Sequence, residues 1–203
     1  HDRRLRGVDL PVRRHARQRA GQQGSRGVDG RLHLARGGVD LLVIRDRTLI
    51  AAIEAKSQVG PSFGNNFNNR TEEAMGSALD LWTAFRQRAY LESPQPFLGY
   101  FFLLEDRANV KTPVANKEPH FAVDAAFRGE ARPSQGGKAR YLGVPYCTRY
   151  ELLYRRLVLE RLYNAACFLM ATNSKNTKIT EPAEDLTFRR FAAALRGHAV
   201  TFL

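Results

Sequence analysis

VDLLVIRDRTLIAAIEAK, residues 39–56, decides how the rest of the chain is read. VDLLVI (39–44) and TLIAAIEAK (48–56) are apolar runs of strand length, separated only by Arg45, Asp46 and Arg47. Two such runs around so short a spacer predict a β-hairpin. With Asp46-Arg47 as a two-residue turn, Arg45 faces Thr48 and Asp40 lies opposite Ile53. A loop one residue longer places Asp40 opposite Glu54. Either register makes neighbours of the Asp40 and Glu54 carboxylates. Side chains alternate along a strand, so Glu54 and Lys56 share a face while Ala55 points to the other.

Two carboxylates and an amine gathered where apolar strands end suggest metal-dependent hydrolysis of a phosphodiester. Asp40 and Glu54 are hard oxygen ligands, with the main-chain carbonyl of Ala55 as a further one. This set suits Mg2+, which keeps several waters and binds through few carboxylates. Lys56 is placed to orient the nucleophile and steady its hydroxide form. Taken alone, a D-x13-E-x-K pattern is weak, because a charged pair at a strand end is commonly a surface ion pair. The segment that follows adds context.

SQVGPSFGNNFNNR (57–70) reads as a loop of turn-forming glycine and asparagine. It also holds Gln58, Asn65, Asn66, Asn68, Asn69 and Arg70, side chains of the kind that pair with adenine and guanine edges in the major groove. Phe63 and Phe67 are candidates to anchor it or to touch a base. Asn69-Arg70-Thr71-Glu72 has the form of a capping box, so a helix is expected over 71–90, with Glu72 and Glu73 at its N-terminus. Met75, Ala78, Leu79, Trp82, Phe85 and Ala89 form its inner stripe. FLGYFFLLE (97–105) predicts a strand buried on both faces. Residues 106–146 are turn-rich, 149–170 predict a second long helix with Leu153, Leu157, Tyr163 and Ala166 inward, 173–178 a linker, and 185–196 a last short helix.

Residues 1–38 differ in character and are set apart from a nuclease domain over 39–203. They carry ten arginines, no lysine and three aspartates, which accounts for +7 of the net charge of +12 and leaves +5 for the remainder. Three readings of this segment compete: a basic arm that contacts phosphates, a poorly patterned start of the fold, or GC-rich DNA translated in the wrong frame. The exclusive use of arginine and the lack of an initiating methionine favour the third. A basic balance fits a polyanionic partner, although a solvated surface explains it as well. No apolar run approaches a membrane span. Cys147 and Cys167 have no CxxC or Cys/His company and are expected to be reduced thiols rather than zinc ligands.

DLLVIRDRTLIAAIEAKSQVGPSFGNNFNNRTEEAMGSALDLWTAFR (40–86) resembles the signature of XhoI-type restriction endonucleases, members of the PD-(D/E)xK nuclease superfamily. EPHF (118–121) and RYELLYRRLVLERLYNAA (149–166) extend the similarity to roughly residues 39–195. The resemblance implies an α/β fold, a restriction-endonuclease-like mixed sheet flanked by helices. It implies a type II enzyme of a bacterial restriction-modification system in the cytoplasm, acting as a Mg2+-dependent homodimer on double-stranded DNA. The expected target is CTCGAG, cut to leave 5′ overhangs, and the expected functional partner is an adenine methyltransferase protecting the same site. Asp40, Glu54 and Lys56 match the family's catalytic triplet. Two other outcomes stay open: a remnant that binds DNA without cutting it, and a less selective repair-type nuclease of the same fold. His120 is a candidate DNA-contact residue or a structural histidine, and Arg155, Arg156 and Arg161 are expected to form a solvated helix face.

Overall fold

The computed structural model describes residues 39–89, 93–114 and 143–202. The first apolar runs form a hairpin of β1 (Leu41–Arg45) and β2 (Thr48–Gln58). Its turn is the two-residue kind: Asp46 and Arg47 both take positive φ, at 48° and 66°, as the tight turn that matches strand twist requires. Arg45 pairs with Thr48 and Ile44 with Leu49, but Val43 pairs with Ala51, so Ile50 is an extra residue in a β-bulge. The bulge shifts the register by one and brings Asp40 abreast of Glu54 rather than Ile53, with the Asp40 N–H donating to Ile53 O at 3.1 Å.

Five strands make one mixed sheet in the order β1-β2-β3-β4-β5. β3 (Phe97–Glu105) and β4 (Ala165–Ala171) run parallel to β2, and β5 (Ile179–Thr180) runs antiparallel to β4. β3 is buried along nearly its whole length, with Phe101 and Leu103 only partly exposed, as its unbroken apolar run predicts. Helices α1 (Phe63–Arg86), α2 (Ala108–Lys111), α3 (Tyr146–Leu159) and α4 (Phe188–Val200) flank the sheet. Strand alternation sorts the core into two layers. Ala52, Leu98, Tyr100, Phe102, Ala166 and Phe168 pack with α1 and α3, while Ala51, Ile53, Phe97, Cys167 and Leu169 pack with Phe191 of α4. Gly99 permits the second contact: a Cβ there would lie 2.7 Å from Phe191 Cζ. Glu54 shares the parity of Ala52, so the catalytic candidates face the α1/α3 side.

Three expectations are corrected. The amide-rich segment is not a loop, because α1 begins at Phe63, eight residues before Thr71, with Ser62 rather than Asn69 at the N-cap position. Asparagine and glycine are poor helix formers, but packing overrides propensity here. Phe63 lies against Tyr146 at 6.2 Å between ring centroids and Phe67 meets Tyr150 edge-on at 5.0 Å. Glu72 and Glu73 therefore fall in the third turn, where Glu73 pairs with Arg70. The inner stripe is also rotated: Ala74, Ala78, Leu81 and Trp82 are buried, whereas Met75 is 44% and Leu79 59% exposed.

The third correction concerns the long helix expected over 149–170, which divides into α3 and β4. Arg161 adopts φ 59° and the Leu162 N–H bonds Leu157 O at 2.9 Å, the left-handed closure usually supplied by glycine. Arg88 ends α1 in the same way at φ 56°, with the Ala89 N–H on Ala84 O. Asn164 then starts the strand by donating its N–H to Leu98 O and accepting from the Leu98 N–H on its side chain. The expected linker precedes β5, and the expected last helix is present, beginning at Phe188 with Thr187 as a capping residue. Cys147 and Cys167 are both free, and burial pushes the Cys167 thiol up to about 12. EPHF and His120 lie outside the described residues, as does the segment 1–38.

Candidate active site

The β1–β2 hairpin builds the site, with residues 54–56 on the part of β2 that runs on past the start of β1. Lys56 Nζ lies 3.4 Å from Asp40 Oδ2 and 3.4 Å from Glu54 Oε1, so one ammonium is shared by two carboxylates. Asp40 Oδ2 also accepts the Ala55 N–H at 2.8 Å, which fixes it to β2. The two acids differ sharply in setting: the side chain of Asp40 is 48% exposed and that of Glu54 only 2%. The site therefore has one carboxylate sunk in the sheet and one open to a substrate.

Burial pushes Glu54's carboxyl above the ordinary carboxylate range. A hydrogen bond from the Tyr163 hydroxyl, the Lys56 ammonium and a bond with Ser77 act in the opposite sense. The Tyr163 hydroxyl is 2.9 Å from Glu54 Oε2 and also 2.9 Å from the Ala74 carbonyl of α1. Tyr163 is not among the expected site residues because the chain around it reads as helix. The available signal was Asn164 followed by AACFLM, an uncharged apolar run of strand length.

Among the described residues no group of three or more His, Cys, Asp or Glu converges. The side-chain acceptors around Lys56 are oxygens of two carboxylates, Asp40 and Glu54. Carboxylate oxygens of this kind fit a hard divalent cation better than a softer metal.

The expected readout residues fall into two groups. Asn65, Asn68 and Asn69 are exposed and recur at i, i+3 and i+4 in the first turns of α1, so they share one helix face; Asn66 is half-buried. A helix N-terminus also carries positive dipole charge, favourable beside a phosphate backbone. Arg70 is part of the same helix and is paired with Glu73. Gln58 stands apart: it closes β2, is buried, and donates Nε2 to Val59 O at 2.6 Å. Glu105, buried at the end of β3, accepts the Gly60 N–H at 2.8 Å and so braces the entry to α1. That bond, followed by Arg107, holds its carboxyl below the ordinary range. Of the arginines assigned to a solvated face, Arg155 is engaged instead, gripping Asp185 through two nitrogens at 2.7 and 2.8 Å.

A family profile described as restriction endonuclease XhoI matches residues 21–181, beginning within the arginine-rich stretch. The type II restriction enzyme BstVI of Geobacillus stearothermophilus is 42% identical over 169 residues, covering 80% of this chain and 69% of that protein. The type II restriction enzyme AbrI of Azospirillum brasilense is 57% identical over 98 residues, covering 48% of this chain and 43% of that protein. The type II restriction enzyme XhoI of Xanthomonas vasicola is 45% identical over 121 residues, covering 60% of this chain and 43% of that protein. No solved structure matches the chain.

Proposed function

Because the chain belongs to the XhoI restriction endonuclease family, a family of hydrolytic endonucleases, we propose that it cuts double-stranded DNA at CTCGAG with Asp40, Glu54 and Lys56 as its catalytic residues. The observation that carries this reading is the sharing of Lys56 Nζ between the two carboxylates at 3.4 Å each, directly ahead of a helix that begins with exposed amides. Asp40, Glu54 and the Ala55 carbonyl would hold Mg2+. When bound, such an ion supplies Lewis-acid polarisation of the phosphate and acidifies water. Lys56 orients the attacking water and stabilises its hydroxide form, and Glu54 and Asp40 fix Lys56 in place. Water adds to phosphorus as the ester P–O bond breaks, and the departing sugar oxygen takes up a proton.

The site is chosen by α1. An α-helix fits the major groove, and the face of Asn65, Asn68 and Asn69 offers donor and acceptor pairs to base edges, with Arg70 released from Glu73 to pair with guanine. A palindromic target calls for two copies of this surface, and a homodimer supplies them. The exposed Met75 and Leu79 further along α1 are apolar surface of the kind a second copy would cover. In the cell an adenine methyltransferase would protect the same sequence. Among the described residues no helix is long and apolar enough to cross a membrane.

Replacing Asn68 by alanine, or Arg70 by lysine, is expected to cost about 1–3 kcal/mol of discrimination between CTCGAG and one-base variants. Binding to duplexes is measured in Ca2+, where cleavage is suppressed. An equal loss on every duplex would instead make these residues phosphate contacts and remove them from base readout.

A further inference from the structure

Tyr163 lies between α3 and β4, is 1% exposed, and belongs to neither the triplet nor the amide face. Its single hydroxyl stands 2.9 Å from Glu54 Oε2 and 2.9 Å from the Ala74 carbonyl. A phenol has one proton, so these two acceptors converge on one donor. Ala74 sits one helical turn after Arg70 on α1. The helix that carries the amides thus reaches the buried carboxylate through the Tyr163 hydroxyl at Ala74.

We propose that Tyr163 is a positioning residue that makes the orientation of the Glu54 carboxylate follow the seating of α1 on DNA. The inference rests on the nuclease reading above. A helix is stiff along its axis, so a small displacement of its first turns by a base edge moves the Ala74 carbonyl with them. Tyr163 and Glu54 are both buried and have no freedom to absorb that movement separately. Correct docking thereby places Glu54 for chemistry, and incorrect docking leaves it misplaced.

The test is Tyr163→Phe, which removes one oxygen and keeps the ring. Expected results are a single-turnover cleavage rate and an Mn2+ affinity, measured calorimetrically without DNA, each reduced roughly 10–100-fold. Affinity for CTCGAG duplex in Ca2+ should stay within about twofold, and the rate ratio between CTCGAG and one-base variants should fall by roughly fivefold or more. If Tyr163→Phe fails to fold by circular dichroism, Tyr163→His, which keeps a ring but moves the donor, must lower that rate ratio. An unchanged ratio there overturns the proposal. Wild-type values of rate, ratio and Mn2+ affinity in folded Tyr163→Phe, beside an active wild type, overturn this inference alone. A wild type that neither cuts nor binds Mn2+ overturns the nuclease reading and this inference with it.

Discussion

Replacement of Glu54 or Lys56 by alanine is expected to lower cleavage by at least on the order of 10²–10³, while binding to CTCGAG duplex in Ca2+ persists. Neither residue lies on the amide face of α1, so chemistry and recognition are separable by mutation. The fold should tolerate the change at Glu54. Its carboxyl is 2% exposed, and burial outweighs the help it receives from Tyr163 and Lys56, so its proton is held more tightly folded than unfolded. A raised pKa of this kind stabilises the fold below the ordinary carboxylate pKa, and that contribution is lost as pH rises through the folded value. Glu54→Gln, neutral at every pH, is therefore expected to flatten the decline in melting temperature as pH rises from the carboxylate range toward neutrality. A melting profile that matches wild type in slope would show that Glu54 is not strained by burial. Retained cutting by Glu54→Ala or Lys56→Ala would remove the triplet.

Phe102→Ala is expected to cost about 3–5 kcal/mol, the largest single loss of stability in the α1/α3 layer. Phe102 is fully buried on β3, and its ring centroid lies 4.5 Å from Tyr150, 5.2 Å from Tyr154 and 6.2 Å from Phe168. Against a typical domain stability of about 5–15 kcal/mol, such a loss would leave the fold marginal. The same layer supports the start of α1, since Tyr150 also receives Phe67. Phe102→Ala should accordingly weaken DNA binding along with stability, unlike substitution at Glu54. Urea denaturation measures the loss, and a cost below about 1 kcal/mol would mean that the aromatic layer is loosely packed.

Much of the candidate site was legible in the sequence because it lies on strands. Alternation alone puts Glu54 and Lys56 on one face, and the apolar run at 97–105 could only be a buried strand. What stayed hidden follows from three physical causes. The bulge at Ile50 has no sequence marker, so the register that sets Asp40 beside Glu54 was open between two choices. The stops of α1 and α3 are made by arginine in a left-handed conformation at Arg88 and Arg161, where glycine would have announced them. The early start of α1 depends on Phe63 and Phe67 meeting Tyr146 and Tyr150, residues about eighty positions away. A helix continued through 170 puts Tyr163 among the apolar inner-face residues, and only the second of these stops turns its hydroxyl to Glu54.

Seating on a helix rather than a loop arranges in advance the amides proposed to read bases. A loop would have to become ordered on DNA, at an entropic cost. Here the Asn65, Asn68 and Asn69 face is already arranged, with Glu105 fixing the turn that leads into it.

The most direct measurement is incubation of the purified protein with Mg2+ and a plasmid carrying a single CTCGAG, beside an otherwise identical plasmid that lacks it. Linear product from the first plasmid alone is the expected result. Cutting of both plasmids, or of neither by folded protein, would contradict the assignment of a site-specific nuclease built on Asp40, Glu54 and Lys56.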